Sequence, residues 1–346
     1  MFFLILSFCP SEIPVIAEEQ PIVRGIYLAP GVFYSKHKLD EFFKMVNLGL
    51  VNAAVLDVKD ERGRVMISLY KEFISKAKNR DIYLIARQCV FKDEALAFKN
   101  MGALALKEFS DKIWFQDKCG YWVDPSLLDV RKYNVEIMNR AFEAGFDEVQ
   151  FDYIRYPSGN KPYKNWQNKL DNIVKFLDMV KENKPPEKRI SLTFYGYTVW
   201  ANVLAKEGQN FEKMAERVDA VYPMLYPSHF HDNFMVDSTK EARTYALIFK
   251  SVEKARERLP ENGIDIIPYL QAFTWRRSKL GKKYVYNQLK GASDARSDGF
   301  IFWNAGGDYF LGYEELIEFD LQFFKNKLIY RLFQENDSKR NKENSG

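Results

Sequence analysis

From Arg24 onward, short runs of β-branched and aromatic residues alternate with longer stretches whose apolar positions recur every three or four residues among Lys and Glu. The first kind reads as strand and the second as amphipathic helix, because side chains repeat every 2 residues in a strand and about every 3.6 in a helix. Strands are predicted at Arg24 to Pro30, Ala53 to Lys59, Tyr83 to Val90, Glu148 to Tyr156, Ile190 to Tyr197, Ala220 to Tyr226, Ile264 to Phe273 and Gly299 to Asn304. Helices are predicted at Lys38 to Leu48, Ser68 to Asn79, Asp93 to Met101, Val130 to Ala144, Gln167 to Glu182, Phe211 to Glu216, Thr239 to Leu259 and Val285 to Arg296. Such alternation implies parallel pairing through right-handed crossovers, and eight units over about 300 residues match a single closed (β/α)8 barrel. An open doubly wound sheet is the rival, but it usually carries a glycine-rich phosphate loop after its first strand, and Ala29-Pro30-Gly31-Val32 is not one.

Three segments fall outside this rhythm. The stretch from Phe109 to Ser126, with Trp114, Tyr121 and Trp122, reads as an insertion carrying a lid or a β-hairpin. Residues 1–20 hold an apolar run, Phe2 to Phe8, then Val15-Ile16-Ala17 before Glu18-Glu19, a pattern like a secretory signal peptide without a basic start, or a loose tail. A secreted or cell-envelope protein is therefore expected, with the barrel over 21–320. Residues 321–346 would add a helix, Leu321 to Phe333, and a charged tail.

Composition changes the picture in two ways. The chain is 47% apolar and 16% aromatic, with 28 Phe and 20 Tyr, enough for a large core with flat aromatic faces to spare for a pocket mouth. Its net charge of +4 is interspersed rather than striped, so nucleic acid is not an expected partner. The three histidines, His37, His229 and His231, form neither a His-x-His pair nor a His-Glu-x-x-His motif, so no histidine-built metal centre or other cofactor is implied. Cys89 and Cys119 could form one disulfide or remain free thiols.

Barrel enzymes assemble their sites at the C-terminal ends of the strands. There the chain places Asp57, Lys59 and Asp60 on the second strand, Arg87 on the third, Asp152 and Arg155 on the fourth, and Tyr195 on the fifth. Tyr222, Tyr226 and His229 follow on the sixth, Gln271 and Trp275 on the seventh, Trp303 and Asn304 on the eighth. Asp152 stands out, since Val149-Gln150-Phe151-Asp152-Tyr153-Ile154 is a buried-strand pattern broken by an acid, and a buried carboxylate costs several kcal/mol unless paired. The alternative, given less weight, is one half of a structural ion pair with Arg155 or Arg87. Two carboxylates across an aromatic-walled pocket are what glycoside hydrolysis needs, one protonating the leaving oxygen and the other acting as nucleophile or base. Asp152 is the expected nucleophile or base, with Asp57 or Asp60 as acid. Lys59, Arg87, Arg155 and Asn304 would orient hydroxyls and carboxylate, and Tyr156, Tyr226, Trp275 and Trp303 would stack on sugar rings. Tyr156 and Tyr226 sit in an echo, Tyr156-Pro157-Ser158 and Tyr226-Pro227-Ser228, where proline holds the preceding tyrosine extended. Carboxylate-only binding of Mg or Ca by Asp57, Asp60 and Asp152 is a weaker alternative.

At these residues the chain resembles a glycoside hydrolase family of TIM-barrel fold first catalogued as a domain of unknown function (DUF4015). The matching stretches are Val23 to Leu28, Asn52 to Asp60, Phe146 to Pro157, Val218-Asp219 with Tyr222 to His229, Tyr269 to Thr274, and Phe302 to Gly306, so the likeness spans the whole barrel. The resemblance implies a polysaccharide-directed hydrolase whose acids include the strand-four aspartate matched by Asp152. Two positions depart from the expected family pattern. Thr193 stands where an Asp is expected on strand five, and Ala272 where an Asp is expected on strand seven. If either acid is the proton donor, the chain is an inactive carbohydrate-binding barrel or uses another group.

Overall fold

The computed structural model describes residues 22–309, apart from 117–119, 159–161, 165, 202–203, 205, 236–239, 260–262 and 276–280. The expected leader, the C-terminal helix with its charged tail, and Cys119 lie outside the described residues, while Cys89 is a buried free thiol.

The strands are β1 Val23–Leu28, β2 Ala53–Lys59, β3 Tyr83–Cys89, β4 Phe115–Gln116, β5 Gly120–Tyr121, β6 Glu148–Asp152, β7 Arg189–Tyr195, β8 Ala220–Met224, β9 Asp265–Ile266, β10 Tyr269–Gln271 and β11 Gly299–Trp303. β4 and β5 form a separate antiparallel hairpin, so the insertion expected at Phe109 to Ser126 carries a hairpin. The others pair in parallel from β1 through β2, β3, β6, β7 and β8, and β10 joins β8 to β11, which pairs back with β1. β9 and β10 together make one stave, broken at Pro268, which has no N–H for the ladder. The result is a closed eight-stranded (β/α)8 barrel.

Among the described residues eight α-helices lie between the strands: α1 Lys36–Asn47, α2 Lys71–Lys78, α3 Glu94–Phe98, α4 Leu128–Glu143, α5 Lys169–Asn183, α6 Phe211–Ala215, α7 Lys240–Arg258 and α8 Lys282–Asp294. Short polar residues start several of them. Asp93 accepts from Leu96 N at 2.8 Å at the head of α3, and Asn210 accepts from Lys213 N at 2.8 Å at the head of α6. α4 turns Val130, Ile137, Met138 and Ala141 onto the sheet, the spacing of one helical face.

Seven of the eight strands end one to four residues earlier than the apolar pattern predicts, β6 by the most. β6 stops at Asp152 because Tyr153 adopts φ +50°, which leaves the extended region. β8 stops at Met224, ahead of a short helical turn at Pro227–His229.

Candidate active site

Glu148, Gln150 and Asp152 alternate along β6 and all are buried. Asp152 ends the strand at the barrel mouth, where its carboxylate accepts four hydrogen bonds. Arg87 on β3 donates Nε and Nη2 to Oδ2 at 2.8 and 2.5 Å. Thr193 Oγ1 on β7 donates to Oδ1 at 2.7 Å, and the Tyr153 amide donates to the same oxygen at 2.6 Å. The left-handed turn at Tyr153 is what aims that amide back at the carboxylate, a strained geometry of the kind that accumulates at functional sites. Burial alone would push the carboxyl upward. The Arg87 charge and the bonds from Thr193 and the Tyr153 amide outweigh it and hold Asp152 below the usual aspartate range, so it is anionic.

Arg87 also donates Nη1 to Asp57 Oδ1 at 2.6 Å, and Tyr27 donates its hydroxyl to Asp57 Oδ2 at 2.5 Å. One guanidinium thus bridges two buried carboxylates. Asp57 goes the other way from Asp152: burial raises it more than Arg87 and Tyr27 lower it. Asp152 is the carboxylate that reaches the cavity, while Asp57 is tied to Arg87 and Tyr27 rather than on the cavity wall.

Above this cluster lies a cavity of about 790 Å³, within the range of small-molecule sites. Arg87, Asp152, Arg155, Tyr195, Tyr226, His229, Trp275 and Trp303 all line it, as the sequence pattern predicts. Arg155 lies 4.8 Å from the ring centres of Trp122 and Tyr195 and 5.3 Å from that of Tyr153, so three aromatic faces hold its guanidinium. Trp303 stacks on Tyr27 with centroids 3.8 Å apart and lies 5.0 Å from the Arg87 guanidinium. Trp275 is 53% exposed in the wall.

Six expected site residues are placed elsewhere. A register shift between Asp57 and Lys59 on β2 turns Lys59 to the outside of the sheet, where its ammonium meets Asp93 and Asn134, each at 2.8 Å. Asp60 closes the following turn, accepting from the amides of Arg62 and Arg64 and from the Arg64 guanidinium. Tyr156 is buried away from the cavity, stacked on Tyr163 and bonded by Asn172. Tyr222 is fully buried beside Glu148 in the barrel interior. Gln271 is buried, accepting from Ser228 N and the Tyr284 hydroxyl. Asn304 braces its own turn, donating to the carbonyls of Ala272 and Asp308 and accepting from Gly306 N.

The cavity also has a carboxylate that the strand pattern does not reveal. Glu207 lines it, from a turn at residues 206–208 between β7 and α6. No apolar period marks that turn, and Gly208 after Glu207 is its sole local signal. Among the described residues no group of three or more His, Cys, Asp and Glu is arranged to hold a metal ion, and Asp60 faces Arg64 rather than Asp57 and Asp152.

Residues 25–309 match the family model DUF4015, described as "Putative glycosyl hydrolase domain". The chain belongs to this family. Its fold is shared by the PgaB (BpsB) glycoside hydrolase domain of Bordetella bronchiseptica, at 14% identity and TM-score 0.61, over 86% of this chain and 98% of that one. It is shared too by a class V chitinase of Pseudomonas fluorescens Pf-5, at 12% identity and TM-score 0.53, over 86% and 98%. The spore cortex-lytic enzyme SleL of Bacillus cereus aligns at 10% identity and TM-score 0.54, over 86% and 74%. None of the curated proteins matches this sequence. In this glycosyl hydrolase-like chain, Thr193 on β7 serves as a hydroxyl donor to Asp152.

Proposed function

We propose that this barrel hydrolyses O-glycosidic bonds of a polysaccharide outside the cytoplasm or in the cell envelope, with Asp152 as the anionic nucleophile or base. The observation that carries the reading is a strand-end carboxylate, fixed as an anion by four donors, beneath a cavity walled by Tyr153, Tyr195, Tyr226, Trp275 and Trp303. Sugar rings offer apolar faces to such rings and hydroxyls to Arg155 and His229, while the positive charge that develops at the anomeric carbon is met by Asp152. The extracytoplasmic location is supported by the apolar run Phe2 to Phe8 followed by Val15-Ile16-Ala17 ahead of Glu18-Glu19.

Reducing-end release from a panel of cell-wall and capsular polysaccharides tests the proposal. Asp152→Asn keeps the shape and removes the charge, and turnover on the responsive glycan should fall by about 10²–10⁴-fold. Turnover that survives the substitution would sink the assignment of Asp152. A second reading, a carbohydrate-binding barrel without turnover, is favoured by Thr193 and Ala272. Tight glycan binding by the unsubstituted protein with no release would select it.

A further inference from the structure

Resting on that reading, we infer that Glu207 is the catalytic proton donor that works opposite Asp152. Among the residues lining the cavity, Asp152 and Glu207 are the two carboxylates. Asp152 cannot serve as the acid, since its four donors hold it ionised. Asp57 is engaged by Arg87 and Tyr27 at both oxygens and lies off the cavity wall, and Asp60 is spent on its own turn. Glu207 makes no ion pair or side-chain hydrogen bond among the described residues, so its carboxyl is available to a ligand.

Its position is nonetheless fixed through the main chain. Leu204 and Gln209 pair as an antiparallel bridge, and the amides of Glu207 and Gly208 donate to the Leu204 carbonyl at 3.2 and 2.9 Å. Gly208 sits at φ +73° against Lys169, where a Cβ would lie 2.5 Å from the lysine Cβ, so the turn packs without room for a side chain there. The turn is tied to the segment that follows Asp152: the Tyr156 amide donates to the Glu207 carbonyl at 2.8 Å, and Gln209 Nε2 donates to the Ile154 carbonyl at 3.3 Å. The two carboxylates are thereby held by one continuous framework, which catalysis of this kind requires.

Gln209 supplies an independent sign of a ligand. It is 2% exposed and lines the cavity, yet its buried Oε1 has no hydrogen-bond partner. A buried acceptor left unmatched costs about 1–3 kcal/mol, and a sugar hydroxyl entering the cavity beside Glu207 would satisfy it.

In the reaction, the Glu207 carboxyl proton passes to the glycosidic oxygen as the bond from that oxygen to the anomeric carbon breaks, its electron pair leaving with the oxygen. The anomeric carbon is taken by the Asp152 carboxylate, which water later displaces, or directly by water that Asp152 deprotonates. One water is consumed: its oxygen and one proton become the new anomeric hydroxyl, and its other proton returns to Glu207, directly when the Glu207 carboxylate activates the water against the covalent intermediate or by way of solvent from Asp152 in the direct route, so Asp152 ends as an anion.

Leaving-group dependence tests the role. A proton donor matters greatly for a poor leaving group and little for 2,4-dinitrophenolate, which departs unprotonated. Full-length protein is assayed on matched phenyl and 2,4-dinitrophenyl glycosides of hexoses and N-acetylhexosamines. Glu207→Gln should slow the phenyl series by about 10²–10⁴-fold while leaving the dinitrophenyl series within a few-fold, whereas Asp152→Asn should slow both. Glu207→Ala is the second variant, because the turn is held by main-chain bonds that do not need the side chain. A Glu207 variant with unaltered thermal unfolding that slows both series equally, or neither, overturns the inference and leaves the proposed function standing. Unsubstituted protein that releases phenol from no glycoside and reducing ends from no polysaccharide overturns the proposed function, and this inference with it.

Discussion

At the N-terminal end of β6, Glu148 accepts from the hydroxyls of Tyr83 and Ser191 and faces Arg189 at 3.9 Å, while at the C-terminal end Asp152 receives two N–H groups from Arg87 at 2.5 and 2.8 Å. Both acids are buried on the same short strand, and their acidities move in opposite directions. Burial raises Glu148 beyond what Arg189 and its hydroxyl donors restore, while Asp152 is held down. Geometry makes the difference. Arg189 is committed to Asp265 at 2.5 Å and reaches Glu148 only at longer range, whereas Arg87 forks directly onto Asp152 and the backbone adds a donor at Tyr153. Buried charge alone does not mark a reactive site. What marks it is an anion held ionised where a cavity can bring it a substrate.

The strongest way to break this contrast is to remove the cation at the mouth. Arg87→Met leaves Asp57 and Asp152 buried with no counter-charge, so it should cost about 3–5 kcal/mol in denaturant unfolding and abolish turnover, Asp152 having lost its orientation. Next in size is the effect of acid. A depressed carboxyl adds stability above the unfolded-state value of about 3.9, and this is lost as pH falls through the lower folded-state value. Activity that depends on anionic Asp152 should therefore persist down to about pH 4 wherever the fold does. An acid limb centred near neutrality would contradict this. Smaller again is Trp275→Ala, which removes an exposed stacking face and should raise KM about 2–10-fold with kcat nearly unchanged. Smallest is Glu148→Gln. A raised carboxyl stabilises the fold below about pH 4.3 and loses that contribution as pH rises through the folded-state value, so at neutral pH the neutral amide should shift stability by no more than about 1 kcal/mol. Turnover should not change. A marked loss of activity here would show that the two ends are coupled.

The barrel was legible because its staves are written in runs of Val, Ile, Leu and Phe that no other element imitates, and strand ends then pointed to Asp152, Arg87, Arg155 and Tyr195. Strand alternation failed where the ladder itself is irregular. It puts Asp57 and Lys59 on one face, but the register shift between them sends the lysine outward to Asp93. The two Tyr-Pro-Ser exits show a second limit. Proline fixes the backbone of the tyrosine before it but not the side to which its ring turns, so Tyr226 lines the cavity while Tyr156 is buried against Tyr163. Glu207 escaped because turns carry no period. Its place follows from main-chain bonds to Leu204 and Tyr156, which leave no trace in residue type.

The left-handed turn after β6 has a bearing on how the site tolerates change. One of the four donors to Asp152 is the amide of residue 153, and an amide is present whatever side chain replaces the tyrosine. Drift at position 153 can therefore reshape the cavity wall, and with it the choice of ligand, while one donor to the charge at its floor is kept by the main chain. Asparagine or glycine, which accept this backbone conformation readily, are the substitutions that should retain it best.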